Sequence, residues 1–529
     1  MNKLNSVLLA YKENGMYLVT KWILGSLLLF SLLEALFFPS YENIYGCLSF
    51  ITGWFLLYYF VLRVRGKERN KCLLPYLALF FLGVSFFWMP LIATLLEGKP
   101  LTFRFQNPYL TFNNQLLNLI MFIVAYRLCL KFYKPNNFLI KLWKKMGYFT
   151  PPSDLQIWIM GGIGFLSFTY NLIIQGTDDA MAENLGFFGH LMQITRLFIS
   201  FPFILLFKNV YGQKESEHDY NLKILLSIYF CFVVLLGIAT GKRTPILGPV
   251  VSIVACYMLP FFTQGKKLLS TRNAIYIFVC VYALTGPIAD LSLAMAVGRD
   301  DSSKSSANWT FDNILKIYQD KEKLHNIYQT IIIGTDNNGQ NSDGWSEYYV
   351  DNVIFDRFCN IRVCDATIYY ANKLGHDNPR MHEYAKRSLL FLLPTPVLRF
   401  FGYNQSKFGH QYSPGDLISS EALNYKYQYH GYRIAGDSGI GLYLWGYKYY
   451  FYAIFIYFAF FYFLSSKVFV NSNGRVILSL WTAVELYTII WLLNNSSGII
   501  RVFHVLFRDG WQNIIIYCLV FALVRRLSK

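Results

Sequence analysis

The feature that most constrains this chain is a series of apolar runs, each long enough to cross a membrane as a helix. Crossing about 30 Å of hydrocarbon takes roughly 20 helical residues. Twelve such runs lie near 17–38, 45–64, 73–95, 115–133, 155–175, 187–207, 222–240, 245–263, 274–296, 447–465, 476–494 and 511–525. The sequence therefore predicts an all-α polytopic membrane protein with about 12 transmembrane helices.

Lysine and arginine are unevenly distributed between the loops that join these runs. If the N-terminus is cytoplasmic, the inner loops and tails carry 23 of them, and the short outer loops carry six. Because basic loops are retained in the cytoplasm, both termini are predicted to be cytoplasmic. The net charge of +17 then reflects orientation in the lipid bilayer, and no nucleic-acid partner is predicted.

One outer segment, 297–446, contains no spanning run and is predicted to form a large, partly helical extracytoplasmic loop domain. It separates an N-terminal membrane region of about nine spans, 1–296, from a C-terminal region of about three, 447–529. Helices are predicted over 311–332 and 345–375, and a proline-containing irregular stretch follows. Cys359 and Cys364 lie on the second helix and would form a disulfide only if that helix were broken.

A basic pair, Lys242 and Arg243, interrupts the apolar sequence in the turn "GKRTP" between the seventh and eighth spans. The predicted topology places this turn at the outer membrane surface, where positive charge is otherwise scarce. One interpretation is that both side chains simply extend toward the headgroups. The other is that the turn holds them against an anionic ligand.

Further arginines and histidines are predicted on the same outer face, and an arginine fork suits the oxygens of a phosphate or pyrophosphate. Near the end of the loop domain, glycines bracket Asp437 in "RIAGDSGIG", and His430 precedes it. Asp437 either accepts a proton in a reaction or caps the following helix. Within the spans, Arg196 is expected to pair with Glu485 or Asp290, unless these charges serve function directly.

The number of spans, the large outer loop before the last few and three short patterns together resemble Wzy-type polymerases. These enzymes polymerise the oligosaccharide repeat units of bacterial O-antigen and capsule. The three patterns are "GKR" after span seven, "LLFLLPTPVLRF" in the loop and "GYRIAGDSGIGLYLWGY" at its exit.

The resemblance implies a glycosyltransferase in the bacterial cytoplasmic membrane, with its active site facing outward. Its donor and acceptor would be polyprenyl-pyrophosphate-linked glycans, and a flippase and a chain-length regulator would be partners. The catalytic base would be Asp437, His430 or His410. Lys242, Arg243, Arg299, Arg399, Arg433 and Arg501 would bind the pyrophosphate, and neither a metal ion nor another cofactor is expected.

Three alternatives stay open at this stage. An O-antigen ligase would use the same donor and the same arginines. A transferase of the GT-C type would use a polyprenyl-monophosphate sugar, with Asp178, Asp179, Asp300 or Asp301 as candidate acids. A transporter of lipid-linked glycans would need polar groups through its spans, but it would not need an outer domain of this size.

Overall fold

The computed structural model describes most of the chain, with gaps. The described residues are 15–64, 66–175, 186–213, 220–239, 244–264, 290–291, 294, 314–320, 322, 349–393, 395–403, 412–423, 433–471, 474–494 and 498–528. In this part nearly every regular element is helical. The exceptions are two short strands, β1 (Val468–Val470) and β2 (Val476–Leu478), which pair antiparallel with Val468 opposite Leu478.

The described helices before residue 265 are as follows. They are α1 (Gly15–Phe37), α2 (Tyr41–Leu57), α3 (Gly66–Lys71), α4 (Leu73–Phe87), α5 (Met89–Leu96), α6 (Pro108–Phe132), α7 (Phe138–Lys145), α8 (Asp154–Gln175), α9 (Gly186–Thr195), α10 (Tyr220–Ala239) and α11 (Thr244–Gln264). A π-helical turn, Tyr58–Leu62, extends α2, and a 3₁₀ helix, Arg196–Phe207, continues α9.

The helices after residue 350 include several short ones. They are α12 (Val353–Phe358), α13 (Ile361–Leu374), α14 (Pro379–Leu390), α15 (Thr395–Phe400), α16 (Pro414–Leu423), α17 (Asp437–Trp445), α18 (Lys448–Ser466), α19 (Leu480–Trp491), α20 (Gly498–His504) and α21 (Gly510–Leu527). A 3₁₀ turn, Leu492–Asn494, follows α19, and a π-helical turn, Val505–Asp509, joins α20 to α21.

Seven helices in the described part are long and apolar enough to cross a membrane. They are Val19–Phe37, Tyr41–Leu62, Leu73–Leu96, Pro108–Phe132, Tyr220–Gly237, Lys448–Ser466 and Gly498–Leu527. Shorter apolar helices cover Leu191–Phe207, Gly248–Thr263 and Leu480–Trp491. The chain is therefore a helical, membrane-embedded protein. The total of 12 spans stays a prediction, and nearly all of the span expected at 274–296 lies outside the described residues.

Two compact units are interleaved along the chain. The first comprises 1–134, 332–465 and 489–511, and the second comprises 135–331, 466–488 and 512–529. Each unit collects segments that are far apart in sequence. The division into three contiguous regions stays a prediction.

Helix α13 is the centre of packing in the part of the first unit that follows residue 348. It packs against α6, α16 and α17, and most of its side chains are buried. The single helix predicted over 345–375 is wrong, because the described chain breaks between α12 and α13 at Cys359 and Asn360. Buried Asp356 accepts a hydrogen bond from the Tyr349 N–H at 2.7 Å, which folds the preceding segment back onto α12.

A buried carboxylate fixes α13 to the N-terminal end of α6. Asp365 is fully buried and accepts hydrogen bonds from the Gln106 N–H at 2.7 Å and the Asn107 N–H at 3.0 Å. It also accepts one from the Thr111 hydroxyl at 2.8 Å, and its ion pair with buried Arg362 measures 2.6 Å. Arg362, which lies in the segment predicted to form the outer loop domain, therefore makes a structural contact.

The second unit is held by close contact between α8 and the 3₁₀ helix. An added Cβ at Gly164 would lie 2.1 Å from the Ile199 nitrogen, so only glycine allows this approach. Glu485 on α19 pairs with buried Lys467 at 2.7 Å, and this corrects the expected pairing of Glu485 with Arg196. The Arg196 guanidinium donates to the Gln193 carbonyl at 3.1 Å.

We expect Asp365→Ala to lower the free energy of unfolding by about 3–5 kcal/mol, because it leaves the buried charge of Arg362 without its partner. Glu383→Ala is the matched control, since Glu383 pairs with Arg387 on the exposed face of α14. That change should cost no more than about 1 kcal/mol. Denaturant titration of the detergent-solubilised protein measures both, and equal losses would contradict the anchoring role of Asp365.

Candidate active site around Asp437

Asp437 is the first residue of α17 and lies against α13. The Gly436 N–H donates to the Thr367 hydroxyl at 3.0 Å, which places the start of α17 against α13, two residues beyond Asp365. An added Cβ would lie 2.6 Å from the Cys364 sulfur at Gly436 and 2.3 Å from the Thr367 methyl at Gly439. These glycines thus allow two helices to meet.

The Asp437 carboxylate is enclosed by polar groups. Its side chain is 7% exposed, and Oδ2 accepts a short hydrogen bond from the Tyr449 phenol on α18. The Tyr457 phenol, the Asn118 amide and the Ile499 N–H also lie around it. Oδ1 has no hydrogen-bond partner of ordinary geometry among the described residues. The expected helix-capping role is not what the structure shows, since Gly436 occupies the N-cap position.

A small cavity adjoins the carboxylate. It has a volume of about 10 Å³ and is lined by Asp437, Asn118, Cys364 and neighbouring apolar residues. The Asn118 Oδ1 atom also lacks a hydrogen-bond partner in the described part of the chain. A space of this size is sufficient for one water-sized group. Asp437 thus has an unused acceptor atom beside a space that a hydroxyl group fits.

Burial raises the pKa of Asp437 from 3.8 to about 6, and the surrounding hydrogen bonds, first that from Tyr449, oppose this shift. The pKa of this carboxyl is higher in the folded protein than in the unfolded chain. Its contribution to the free energy of unfolding is therefore fully present below about pH 4, where the group is protonated in both states. That contribution is lost as the pH rises through about 6. At neutral pH the group is mostly ionised and is suited to accept a proton.

Arg433 lies four residues before Asp437 and is held by α16. Its N–H donates to Asp416 Oδ1 at 3.1 Å, and its guanidinium donates to the Ser419 hydroxyl at 2.6 Å. Its carbonyl accepts from the Ser413 hydroxyl at 2.7 Å. The side chain is partly exposed, so a cationic group is fixed close in sequence to the carboxylate.

Arg501 reaches the same region from the C-terminal part of the chain. Gly498, at the start of α20, has φ of +49°, and a Cβ added there would lie 2.6 Å from Asp437 Oδ1. Arg501 lies one helical turn later and forms an ion pair with Asp509 at 2.7 Å. Arg501 and Arg508 both lie in one continuous helical run, Gly498–Leu527, and the outer location of Arg501 stays a prediction.

The other predicted site residues are not brought to Asp437 in the described part of the chain. Arg399 is exposed on α15, beside exposed Phe400 and Phe401. His410, His430, Lys242, Arg243 and Arg299 lie outside the described residues. Cys359 and Cys364 are both free thiols. Among the described residues, no group of three or more His, Cys, Asp and Glu side chains is placed to hold a metal ion.

Sequence reasoning missed the side chains around Asp437, namely Tyr449, Tyr457 and Asn118. Tyr449 stands in "WGYKYYF", where nothing distinguishes it from the neighbouring tyrosines. Gly446, with φ of +57°, ends α17 and turns the chain so that Tyr449 on α18 faces back toward Asp437. The only hint in the sequence was a glycine between two helical patterns.

We expect the Asp437 carboxyl to titrate with a midpoint near pH 6, because burial disfavours its charged form. Infrared difference spectroscopy of the solubilised protein measures this as a protonated-carboxyl band that fades as the pH rises. The component of this band with a midpoint near pH 6 should be absent in Asp437→Asn and present in Asp351→Asn, which changes a half-exposed carboxylate of the same unit. A midpoint near 4 would contradict the burial of this group.

Similarity to known proteins was sought among protein-family models, curated sequences and solved structures. None of these three comparisons finds a match to the chain. The resemblance described from the sequence patterns stays a prediction.

Proposed function

We propose that this protein is a membrane glycosyltransferase that polymerises polyprenyl-pyrophosphate-linked oligosaccharide repeat units. The observation that carries the proposal is the buried Asp437 carboxylate, whose Oδ1 lacks a hydrogen-bond partner among the described residues and whose pKa is raised by burial to about 6. A general base is most effective when its pKa lies close to the working pH. The membrane-embedded helices fit substrates that carry a lipid anchor.

In the proposed reaction, Asp437 takes the proton from a hydroxyl of the acceptor glycan. That oxygen bonds to the anomeric carbon of the donor, and the bond from this carbon to the pyrophosphate oxygen breaks. The lipid pyrophosphate leaves with the bonding electron pair. His430 and His410 are the alternative bases carried over from the family resemblance.

Arginine side chains are proposed to stabilise the charge that develops on the departing pyrophosphate. Arg433 is the best supported of these, because α16 fixes it four residues from Asp437. Arg501 is included because it lies one helical turn after Gly498, which lies against Asp437. Lys242, Arg243, Arg299 and Arg399 complete the proposed set, and with these cations the reaction is expected to proceed without a metal ion.

The finer topology belongs to the same proposal. Twelve spans with both termini in the cytoplasm would place 297–446, and with it Asp437, at the outer face of the bacterial cytoplasmic membrane. The lipid-linked glycans would be delivered there by a flippase, and a chain-length regulator would be a further partner. An O-antigen ligase would use the same donor chemistry and differs only in its acceptor.

We expect purified wild-type protein, supplied with a lipid-linked repeat unit, to form a ladder of products on a gel. Asp437→Asn should lower the rate about 10²- to 10⁴-fold, the range for loss of a general base. The wild-type rate should increase with pH up to about 6 and then level off, as the carboxylate forms. Asp351→Asn should behave as wild type. Normal polymerisation by well-folded Asp437→Asn would remove Asp437 as the base.

The proposed pyrophosphate contacts are tested with Arg243→Ala and Arg433→Ala, assayed with and without a chelator. Loss of one electrostatic donor should lower the rate about 10²- to 10³-fold, and chelation should leave the wild-type ladder unchanged. Arg380→Ala is the control, because Arg380 is exposed and paired with Glu421 on α16. No ladder from wild type with an authentic repeat unit would contradict the polymerase and favour a ligase or a transporter.

A further inference from the structure

A groove in the first unit, at the opposite end of α17 from Asp437, is lined mainly by hydrocarbon. It has a volume of about 520 Å³, within the range of ligand pockets, and lies between α14 and the C-terminal end of α17. Leu389, Leu390 and Leu393 line one side, and Leu444 and Trp445 line the other. Neither the proposed base nor the proposed pyrophosphate contacts belong to it.

The groove lies where a candidate membrane span begins. Trp445 is followed after two residues by α18, Lys448–Ser466, and the first turns of that helix expose Phe451, Tyr452 and Phe455. Tryptophan and tyrosine concentrate at the level of the lipid headgroups. The groove therefore lies next in sequence to a helix that is long and apolar enough to cross a membrane.

Basic side chains accompany the apolar ones on this segment. Residues 379–403 contain four Lys and Arg residues and one acidic residue, Glu383, which pairs with Arg387. Lys386 lines the groove one turn before Leu389 and Leu390, and it is exposed. Within the described part of the chain, Lys386 belongs to no ion pair. An anion at this end of the groove would meet an uncompensated ammonium group.

Exposed apolar side chains follow the groove residues in sequence, at the end of α15. Phe400 is 85% exposed and Phe401 is 64% exposed, and Leu389 and Leu393 of the groove are also exposed. An apolar surface of this kind, with cations along it, is typical of elements that lie in the headgroup region of a membrane. The acyl chains of a phospholipid suit the apolar side chains, and an anionic headgroup suits the basic ones.

We propose that this groove binds the hydrocarbon chain of an anionic phospholipid of the bilayer, with Lys386 against its headgroup. The site is separate from the glycosyl-transfer site and does not depend on the proposed function. Its ligand is a resident lipid that holds α14 and the end of α17 at the membrane surface.

The test uses the full chain in nanodiscs of phosphatidylcholine that contain brominated phosphatidylglycerol or brominated phosphatidylcholine. Bromine quenches tryptophan fluorescence at contact distance. Subtracting the signal of Trp445→Phe isolates the contribution of Trp445. We expect brominated phosphatidylglycerol to quench Trp445 at an about fivefold lower mole fraction, the effect of one lysine near an anionic lipid.

Lys386→Gln should abolish this preference, whereas Lys373→Gln, which changes an exposed lysine at the end of α13, should preserve it. Equal quenching by the two lipids, or none by either, would overturn the proposal. Release of the quenching by stoichiometric polyprenyl pyrophosphate would also overturn it, because the occupant would then be the lipid-linked substrate. Each result is independent of whether the protein forms polysaccharide.

Discussion

The carboxylate of Asp365 is the contact on which the position of the candidate site depends. It gathers donors from two helices that are about 250 residues apart in sequence, and it thereby fixes α13 to the start of α6. A fully buried carboxylate is tolerated because an arginine and three further donors replace the water that it loses. Cys364 and Thr367, on the same helix, then form the surface on which α17 rests, so Asp365 positions Asp437 through α13.

The Asp437 site differs from the Asp365 site in the charge of its neighbours. Asp365 accepts from an arginine and three further donors, whereas the groups around Asp437, first among them the Tyr449 phenol, include no arginine. Burial raises the pKa of both carboxyls, and their hydrogen bonds oppose the shift in each case, with the help of the Arg362 charge at Asp365. Asp437 is thus the buried aspartate without a cation beside it, and a carboxyl with a raised pKa next to a cavity is a candidate for acid–base chemistry.

Much of the fold was predictable because spanning helices have a strong local signal. The seven long apolar helices lie on predicted spans, since a continuous apolar run requires no knowledge of the rest of the chain. The break between α12 and α13 was not predictable from helical periodicity, and neither was the hydrogen bond from the Tyr349 N–H to Asp356 that folds the preceding segment back onto α12. The pairing of Lys467 with Glu485 likewise arises from the packing of separate helices.

At the site, the acid could be found from sequence, but its surroundings could not. Asp437 was distinguished by the glycines beside it, yet their purpose is steric: Gly436 and Gly439 make room for α13, and Gly441 makes room for the Tyr449 ring. One consequence concerns mutational tolerance. In a deep mutational scan, even alanine should be poorly tolerated at Gly436, Gly439 and Gly441. The exposed leucines of α1, in contrast, should tolerate most apolar replacements. More positions at this site would then be constrained by close packing, namely the three glycines, than by a direct chemical role.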